Sequence, residues 1–517
     1  MTMQDSTSAP LARLVGTSAE APASDRRAID SRKVVLGNKA RSVAMSFREE
    51  AISPSIVSGI AAILDFLLMI AIGIVGLKVW TDDFSSITQS QFGPLIGVPI
   101  LTVFGIQVIQ DYSIGAIRQG IRRVGRSIVV LLLTISALLA LMFVGEVGIA
   151  MPRDWLLIWA ASQLASLVLS SLIVTSLVRH WTHQGRLQTR AVIVGGGAPA
   201  EDLIKAVERN GRNELKILGI FDDRKDDRSP ENTAGYPKLG NVAELEVFAR
   251  LAAIDMVIVS IPLSAEARLL QILKRLWVLP VNIRLSALSS RIKLRPRAYS
   301  YIAGVPFLDV FDKPIVGWDR IAKRIFDVVF ASLALVVFSP VMIAAAAAVK
   351  LNSPGPVFFR QKRYGFNNEV VSVLKFRSMY QEMADPKAER VVTRDDTRVT
   401  TVGRLMRRTS IDELPQLINV LKGELSLVGP RPHAVNAHTA HKLWEEVVDG
   451  YFARHRVKPG VTGWAQINGL RGEIDKPEKI QERVQYDLEY IDNWSILFDL
   501  YILFLTPIRI LNQENAY

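Results

Sequence analysis

The stretch Thr409-Ser410-Ile411-Asp412-Glu413-Leu414-Pro415-Gln416 sets two carboxylates side by side, just after the cations Arg407 and Arg408. Neighbouring side chains point in different directions, so the two acids can do separate work. One can attack phosphorus and carry it as a phospho-aspartyl intermediate. The other can hold Mg2+, a hard cation that takes oxygen ligands and bridges phosphates. The bland alternative is a capping box, with Ser410 as cap and Glu413 three residues on. Pro415 opposes it, because that cap would place its missing N–H past the first helical turn. The spacing instead predicts a helix beginning near Glu413 or Leu414. Its mouth then carries the acids, and Leu417, Leu421 and Leu425 form its buried stripe.

Further cations stand nearby in sequence. Val373-Leu374-Lys375-Phe376-Arg377-Ser378-Met379 alternates apolar and basic residues, which places Lys375 and Arg377 on one face of a strand. Two cations on one face suit a phosphate or pyrophosphate; taken alone, the pattern reads as a solvated basic face. Val428-Gly429-Pro430-Arg431-Pro432-His433 is a stiff turn presenting one guanidinium, and Arg454 to Gln466 is a second basic loop pinned by Gly and Pro. Tyr486 to Ile491 reads as helical, with Tyr486, Glu489 and Tyr490 within one turn. His433, His438 and His441 lack the accompanying carboxylates that would make a metal reading attractive. The chain contains no cysteine, which excludes a disulfide scaffold, a thiolate nucleophile and any Cys-based metal centre.

These residues must be positioned by a chain of 517 residues, 49% hydrophobic, with a formal charge of +12. That length exceeds one core and implies several domains. High hydrophobicity combined with high basicity fits a membrane protein with a basic cytoplasmic face better than a soluble nucleic-acid binder. Residues 56–79, 127–149 and 155–178 are each long and apolar enough to cross a bilayer. Residues 94–109 are marginal alone, but the charge pattern needs them as one leg of a hairpin. The segment 110–126 carries Arg118, Arg122, Arg123 and Arg126, whereas 80–93 carries Asp82 and Asp83 and no Lys or Arg. Positive charge returns at Arg179, Arg186 and Arg190. This alternation predicts four transmembrane helices over 51–182, with both ends cytoplasmic. Residues 1–50 read as a disordered cytoplasmic tail.

Residues 188–290 have the alternation of a parallel α/β domain, with strands at 189–197, 215–224, 254–262 and 280–286. Gly195, Gly197 and Ala200 fit G-x-G-x-x-A after a strand, and Asp222 closes the next one: a Rossmann-like fingerprint. A glycine turn serves this fold whether or not a nucleotide binds, so both a nucleotide site and a structural module remain open. No Tyr-x-x-x-Lys pair follows, which weakens a dehydrogenase reading.

The last region, 315–517, opens with an apolar helix at 325–349, interrupted by Ser339-Pro340. Proline removes a donor and frees a carbonyl, which a serine can satisfy. A fifth span would place the following residues outside the cell. Yet 351–410 holds 12 basic and 6 acidic residues. Charge therefore favours a helix–break–helix that enters the membrane and returns.

GPVFFRQ, LKFRSM, RRTSIDELPQ, VGPRP, KPGVTGWAQI and YDLEYI, in that order, closely resemble the bacterial sugar transferases, the polyprenyl-phosphate hexose-1-phosphate transferases or phosphoglycosyl transferases. The whole chain resembles their long form, the undecaprenyl-phosphate glucose phosphotransferases. The resemblance implies a membrane α-helical region (a four-helix bundle), a Rossmann-like α/β domain, and a monotopic α+β transferase domain with a re-entrant helix. It implies transfer of hexose 1-phosphate, glucose in particular with galactose the nearest alternative, from a UDP-hexose to undecaprenyl phosphate with release of UMP, initiating exopolysaccharide or glycoconjugate synthesis. Asp412 would be the nucleophile and Glu413 the Mg2+ ligand. Lys375, Arg377, Arg407, Arg431 and Asp487 would line the phosphate and uridine site. It implies the inner membrane of a bacterium, a cytoplasmic catalytic domain, the lipid bilayer as partner, no nucleic acid, and by analogy a homodimer. Two rivals are a non-catalytic scaffold that binds sugar nucleotides and a membrane-bound nucleotide-sugar epimerase or dehydratase.

Overall fold

The computed structural model describes residues 35–48, 51–81, 89–144, 153–211, 215–224, 229–288, 300–302, 304–383, 396–433, 438–439, 442–448, 450–470 and 477–512. Most of the expected N-terminal tail, the acidic loop with Asp82 and Asp83, and His441 lie outside those residues. The chain divides into two compact units, Glu49–Thr189 with Arg212–Lys216, and the remainder.

After a short helix α1 (Asn38–Ser46), the first of these units is all helical: α2 (Pro54–Thr81), α3 (Gln89–Val108), α4 (Ile114–Arg118), α5 (Ile121–Val144) and α6 (Arg153–His183). Proline opens α2, where its missing N–H costs nothing. Ser113 caps α4 by accepting the Ala116 N–H at 3.3 Å. The long helices pack through Val57, Ala61, Met69, Val98, Ile106, Leu131, Trp159 and Leu167, while Leu132, Leu133, Phe104 and Leu157 stay exposed on the outside. An apolar exterior of that kind fits lipid. Helices α2, α5 and α6 are long and apolar enough to cross a membrane; the apolar part of α3, Leu95–Val108, is shorter. One polar cluster interrupts this interior. Tyr112 donates to Asp65 Oδ2 at 2.8 Å, and the enclosed Arg123 lies 3.6 Å from the same carboxylate.

The α/β part of the second unit comprises β1 (Thr189–Val194), α7 (Ala198–Gly211), β2 (Leu215–Phe221), β3 (Asn232–Thr233), β4 (Tyr236–Gly240), α8 (Val242–Leu251), β5 (Met256–Val259), α9 (Glu266–Leu276), β6 (Asn282–Ser286), β7 (Ser300–Ile302) and β8 (Val305–Phe311). They form one eight-stranded sheet in the order β3-β4-β2-β1-β5-β6-β8-β7. The pairs β2–β4, β1–β5 and β5–β6 are parallel, as the alternation of strands and helices predicts, and the central strands β1 and β5 are almost wholly buried. The sheet then runs on past residue 290 into an antiparallel hairpin, β7–β8. Asn241 caps α8, accepting from Glu244 N at 2.9 Å and donating to Glu244 Oε1 at 2.8 Å.

The last part of the chain comprises α10 (Gly317–Asn352), β9 (Phe358–Tyr364), β10 (Val370–Phe376), α11 (Thr401–Thr409), α12 (Gln416–Lys422), β11 (Ser426–Val428), β12 (His438–Thr439), β13 (Lys442–Leu443), α13 (Trp444–Val447), β14 (Gly460–Thr462), α14 (Trp464–Ile467), α15 (Pro477–Asp492) and α16 (Ile496–Asn512). The expected interruption at Ser339-Pro340 is not a gap between two helices: α10 is continuous, with Pro340 inside it. Ser339 Oγ donates to Val336 O at 2.8 Å, the carbonyl that Pro340 leaves without its usual donor. Both ends of α10 pack on this part of the chain. Near its start, Lys323 Nζ bonds Asp499 Oδ2 at 2.6 Å and Val428 O at 3.0 Å. Near its end, Ala345 and Val349 pack with Phe376 and Met406. Between them Leu333, Val336, Val337, Phe338, Val341 and Ile343 are exposed. Helix α16, unremarked in the sequence reading, also exposes Leu497, Tyr501, Phe504 and Ile508.

Candidate active site

Asp412 and Glu413 lie in a 3₁₀ turn, Ile411–Glu413, entered from Ser410 in the left-handed region at φ 60°. Helix α12 follows at Gln416 with Pro415 as its cap, two to three residues later than the spacing predicts. The 3₁₀ turn takes up that difference, and the acids still precede the helix. Leu417 and Leu425 are buried and Leu421 packs against the same core, so the expected stripe holds the turn from behind.

The two acids have different surroundings. Glu413 Oε1 accepts from Lys375 Nζ at 2.7 Å and from Arg431 Nη2 at 2.6 Å, and Oε2 accepts from Arg431 Nη1 at 3.2 Å. Burial alone would raise its pKa; Arg431 and Lys375 outweigh burial and hold the carboxyl well below its ordinary value. Asp412 is 8% exposed, and among the described residues its carboxylate has no hydrogen-bond or ion-pair partner. Burial pushes its pKa up to about 6, with the fields of Lys375, Arg407 and Arg431 opposing and that of Glu413 adding.

The ribbon β9–β10 supplies two of the cations, Lys375 and Arg363. Its antiparallel register opposes Lys375 to Phe359, Val373 to Gln361 and Val371 to Arg363. Directly opposed residues share a face, so Arg363 stands on the same side of the ribbon as Lys375. Burial lowers the pKa of Arg363 to about 10, helped by Arg431 and opposed by Glu413. Arg363 also donates through Nη1 to Pro432 O, holding the turn that presents Arg431. The sequence reading missed this arginine because its partner strand sets the register.

The other expected residues divide. Arg407 reaches the site's edge, its Nε donating to Ser378 Oγ at 2.9 Å. Arg377 does not join the cluster. The ladder ends at Phe376, and the Arg377 guanidinium turns onto Pro354 O and Ser353 O, each at 2.7 Å, and Ser353 Oγ at 3.0 Å. It ties the end of α10 to β10 and is 4% exposed. Asp487 is also sealed in, 1% exposed, and accepts from Arg454 Nε at 2.9 Å. Burial raises its pKa, and Arg454 and Arg483 oppose that shift. Arg454 in turn donates to Arg431 O at 2.7 Å. His433 Nδ1 takes bonds from Tyr451 Oη at 2.7 Å and from Arg454. Burial, reinforced by Arg454, keeps that ring's pKa well below its usual value.

The donor chemistry can take a hard divalent cation. Glu413 is ionised, its Oε2 has one long hydrogen bond, and a carboxylate oxygen can accept more than one. Mg2+ commonly binds through one or two carboxylates plus substrate phosphates.

The α/β domain has a separate cavity of about 210 Å³ at the carboxyl ends of β1 and β5, where the strand order reverses. Gly195, Gly196, Asp222, Arg224 and Arg268 line it. Asp222 Oδ2 accepts the Gly196 N–H at 2.7 Å and is paired with Arg224 at 2.7 Å. The fingerprint acid thus braces the glycine turn.

Residues 318–513 match the family model of the bacterial sugar transferases, and residues 107–287 match that of a CoA-binding domain. A UDP-glucose:undecaprenyl-phosphate glucose-1-phosphate transferase of Xanthomonas campestris is 37% identical over 377 residues, 72% of this chain and 77% of that protein. An undecaprenyl-phosphate glucose phosphotransferase of Komagataeibacter xylinus is 36% identical over 427 residues, 82% of this chain and 75% of that protein. An exopolysaccharide production protein of Rhizobium leguminosarum is 43% identical over 199 residues, 38% of this chain and all of that protein. The chain therefore belongs to the bacterial sugar transferase family, in the long form that carries apolar helices and an α/β domain ahead of the transferase residues.

Proposed function

We propose that this protein transfers glucose 1-phosphate from UDP-glucose to undecaprenyl phosphate, releasing UMP, and so begins exopolysaccharide synthesis. The observation that carries the chemistry is the Asp412 carboxylate, without a partner among the described residues, beside a Glu413 clamped by Lys375 and Arg431. In the first half-reaction an Asp412 oxygen bonds to the β-phosphorus of UDP-glucose. The bond from that phosphorus to the bridging oxygen breaks, and UMP leaves with the electron pair. In the second, a phosphate oxygen of undecaprenyl phosphate bonds to the same phosphorus and returns Asp412 as a carboxylate. Lys375, Arg363 and Arg431 hold the charge of the transferring phosphoryl group in a site largely closed to water. Glu413 would hold Mg2+, which when bound neutralises phosphate charge. The sugar assignment follows the names of the two relatives that match over most of the chain.

The same reading places the protein in the bacterial inner membrane with its catalytic part on the cytoplasmic side. Helix α10 then acts as a re-entrant wedge. What supports this is that both its ends pack on the transferase residues while its apolar middle is exposed. A lipid phosphate and a water-soluble nucleotide sugar must meet at the headgroup plane, and a wedge of this kind holds the site there.

The test is UMP release from UDP-glucose with undecaprenyl phosphate and Mg2+, comparing wild type with Asp412→Asn. Wild-type release and its loss in the variant are expected; equal release would sink the covalent route. For topology, the cysteine-free chain permits single labels at Asp319→Cys and Arg360→Cys. Both should react only from the cytoplasmic side, and labelling of Arg360→Cys from outside would refute re-entrance.

A further inference from the structure

The Arg431 guanidinium is held in place by its own backbone, which Arg454 grips through Arg431 O at 2.7 Å. Arg454 is fully enclosed and belongs to a six-residue 3₁₀ segment, Tyr451–Arg456, of which five residues are buried. A single 3₁₀ segment has poor hydrogen-bond geometry and owes its shape to what surrounds it. Most of that surrounding comes from α15 and α13, with Ile480 and Val484 against Tyr451, and the α/β domain closes the rest. Gly450, which starts the segment, takes φ 74°, and a Cβ built on it would run into Cζ3 and Cε3 of Trp277. Trp277 is the cap of α9 and stacks on Phe311 at the end of β8, with centroids 6.2 Å apart. At the far end of the segment, Arg456 Nη2 donates to Asp312 O, one residue beyond β8. Beside it, His455 Nδ1 bonds Asn368 Oδ1, and neighbouring Asn367 donates to Ala249 O of α8 at 3.4 Å.

We infer that Trp277, a residue of the α/β domain, is a positioning residue for the transfer reaction: seated on Gly450, it fixes the Tyr451–Arg456 segment and, through Arg454, the aim of Arg431 at Glu413. The inference rests on the transferase reading for Arg431 and Glu413. The α/β domain thereby acts on catalysis through packing, without a residue of its own in the site. Positive φ and the indole contact are two separate reasons for glycine at 450.

The test uses the full-length protein in lipid nanodiscs, with steady-state UMP release and hydrogen–deuterium exchange of the peptide covering 451–456. Trp277→Ala should lower kcat about ten- to a hundredfold, the scale of a small misplacement of a catalytic group, while leaving KM for UDP-glucose nearly unchanged. Trp277→Phe, which keeps a ring on Gly450, should recover most of kcat. Gly450→Ala should be impaired, and adding Trp277→Ala to it should restore part of the loss by removing the clash, a non-additive result. Exchange at 451–456 should rise in Trp277→Ala without any substrate. The inference is overturned if kcat of Trp277→Ala equals wild type, if exchange is unchanged, or if the two losses multiply independently. A wild type that releases no UMP, with exchange rising as expected, would instead reject the transferase reading and leave the packing link standing.

Discussion

Arg431 forks onto Glu413, with Nη2 2.6 Å from Oε1 and Nη1 3.2 Å from Oε2. A bidentate guanidinium–carboxylate pair is directional as well as strong, so Glu413 is fixed in orientation. Lys375 closes the same carboxylate from the β9–β10 ribbon. Asp412, one residue earlier, receives the field of these cations but none of their hydrogen bonds. Two chemically similar side chains are thereby separated into an ionised anchor and a more basic, unencumbered carboxyl group suited to the nucleophilic role proposed for it, a division of the kind seen where environment pushes paired carboxyl groups apart.

That division predicts a pH dependence. A nucleophilic carboxylate must be ionised, and burial places the Asp412 pKa at about 6. UMP release per enzyme should therefore rise with pH through an acid limb centred near 6 and level off above it, measured as kcat/KM for UDP-glucose. A limb centred near the ordinary aspartate value, about 4, would mean that burial does not set the basicity of the nucleophile.

The same raised pKa predicts that ionised Asp412 weakens the fold. The folded state binds the Asp412 proton more tightly than the unfolded chain does, so ionisation costs stability as pH rises from the unfolded pKa, about 4, to above 6. Asp412→Asn removes that cost. The variant should be more stable than wild type at pH 8, on the order of 3 kcal/mol, and the gain should vanish below pH 4. Thermal melts at the two pH values check it; an equal gain at both would point to packing rather than charge.

Much of the site was legible because its chemistry is local. Asp412 and Glu413 are adjacent, and their divergence needs no tertiary knowledge. Lys375 and Arg431 were legible as single cations in stiff segments. What failed to transfer was position along an element. Alternation assigns a face to Arg377 but does not say that the ladder stops at Phe376 and that the guanidinium is drawn to carbonyls at the end of α10. Arg363 was unreadable for the converse reason, since strand register brings it to the site, and Arg454 was legible only as one end of a basic loop, its hold on Arg431 O and Asp487 being set by tertiary packing. The proline in α10 shows a third limit. Its chemistry, including the serine that meets the freed carbonyl, followed from the sequence, but the helix tolerates it without parting.

The displaced Arg377 gives a prediction opposite to that for a substrate ligand. Arg377→Ala would strip donors from Ser353 O and Pro354 O; Ser353 is buried, and leaving its carbonyl unsatisfied costs about 1–3 kcal/mol. The protein should melt lower and be less well retained in membranes, because the anchored end of α10 is released. The fraction that stays folded should bind UDP-glucose with KM near wild type. A large KM increase with unchanged melting would put Arg377 back in the substrate site.

Asp487 yields a sharper version of that contrast. It is sealed behind Arg454, with Arg483 also acting on it, and reaches no open volume. Asp487→Asn keeps the shape but leaves two buried guanidinium groups without their shared anion. Removing one partner of a buried pair costs about 3–5 kcal/mol, so the variant should be markedly destabilised. Loosening Arg454 should also loosen Arg431, so kcat should fall in the folded fraction. UMP, a product that meets the enzyme through its phosphate and uridine, should inhibit the variant and wild type at similar concentrations. If inhibition by UMP weakens tenfold or more while melting is unchanged, Asp487 touches the nucleotide directly, and the burial seen here does not describe the liganded state.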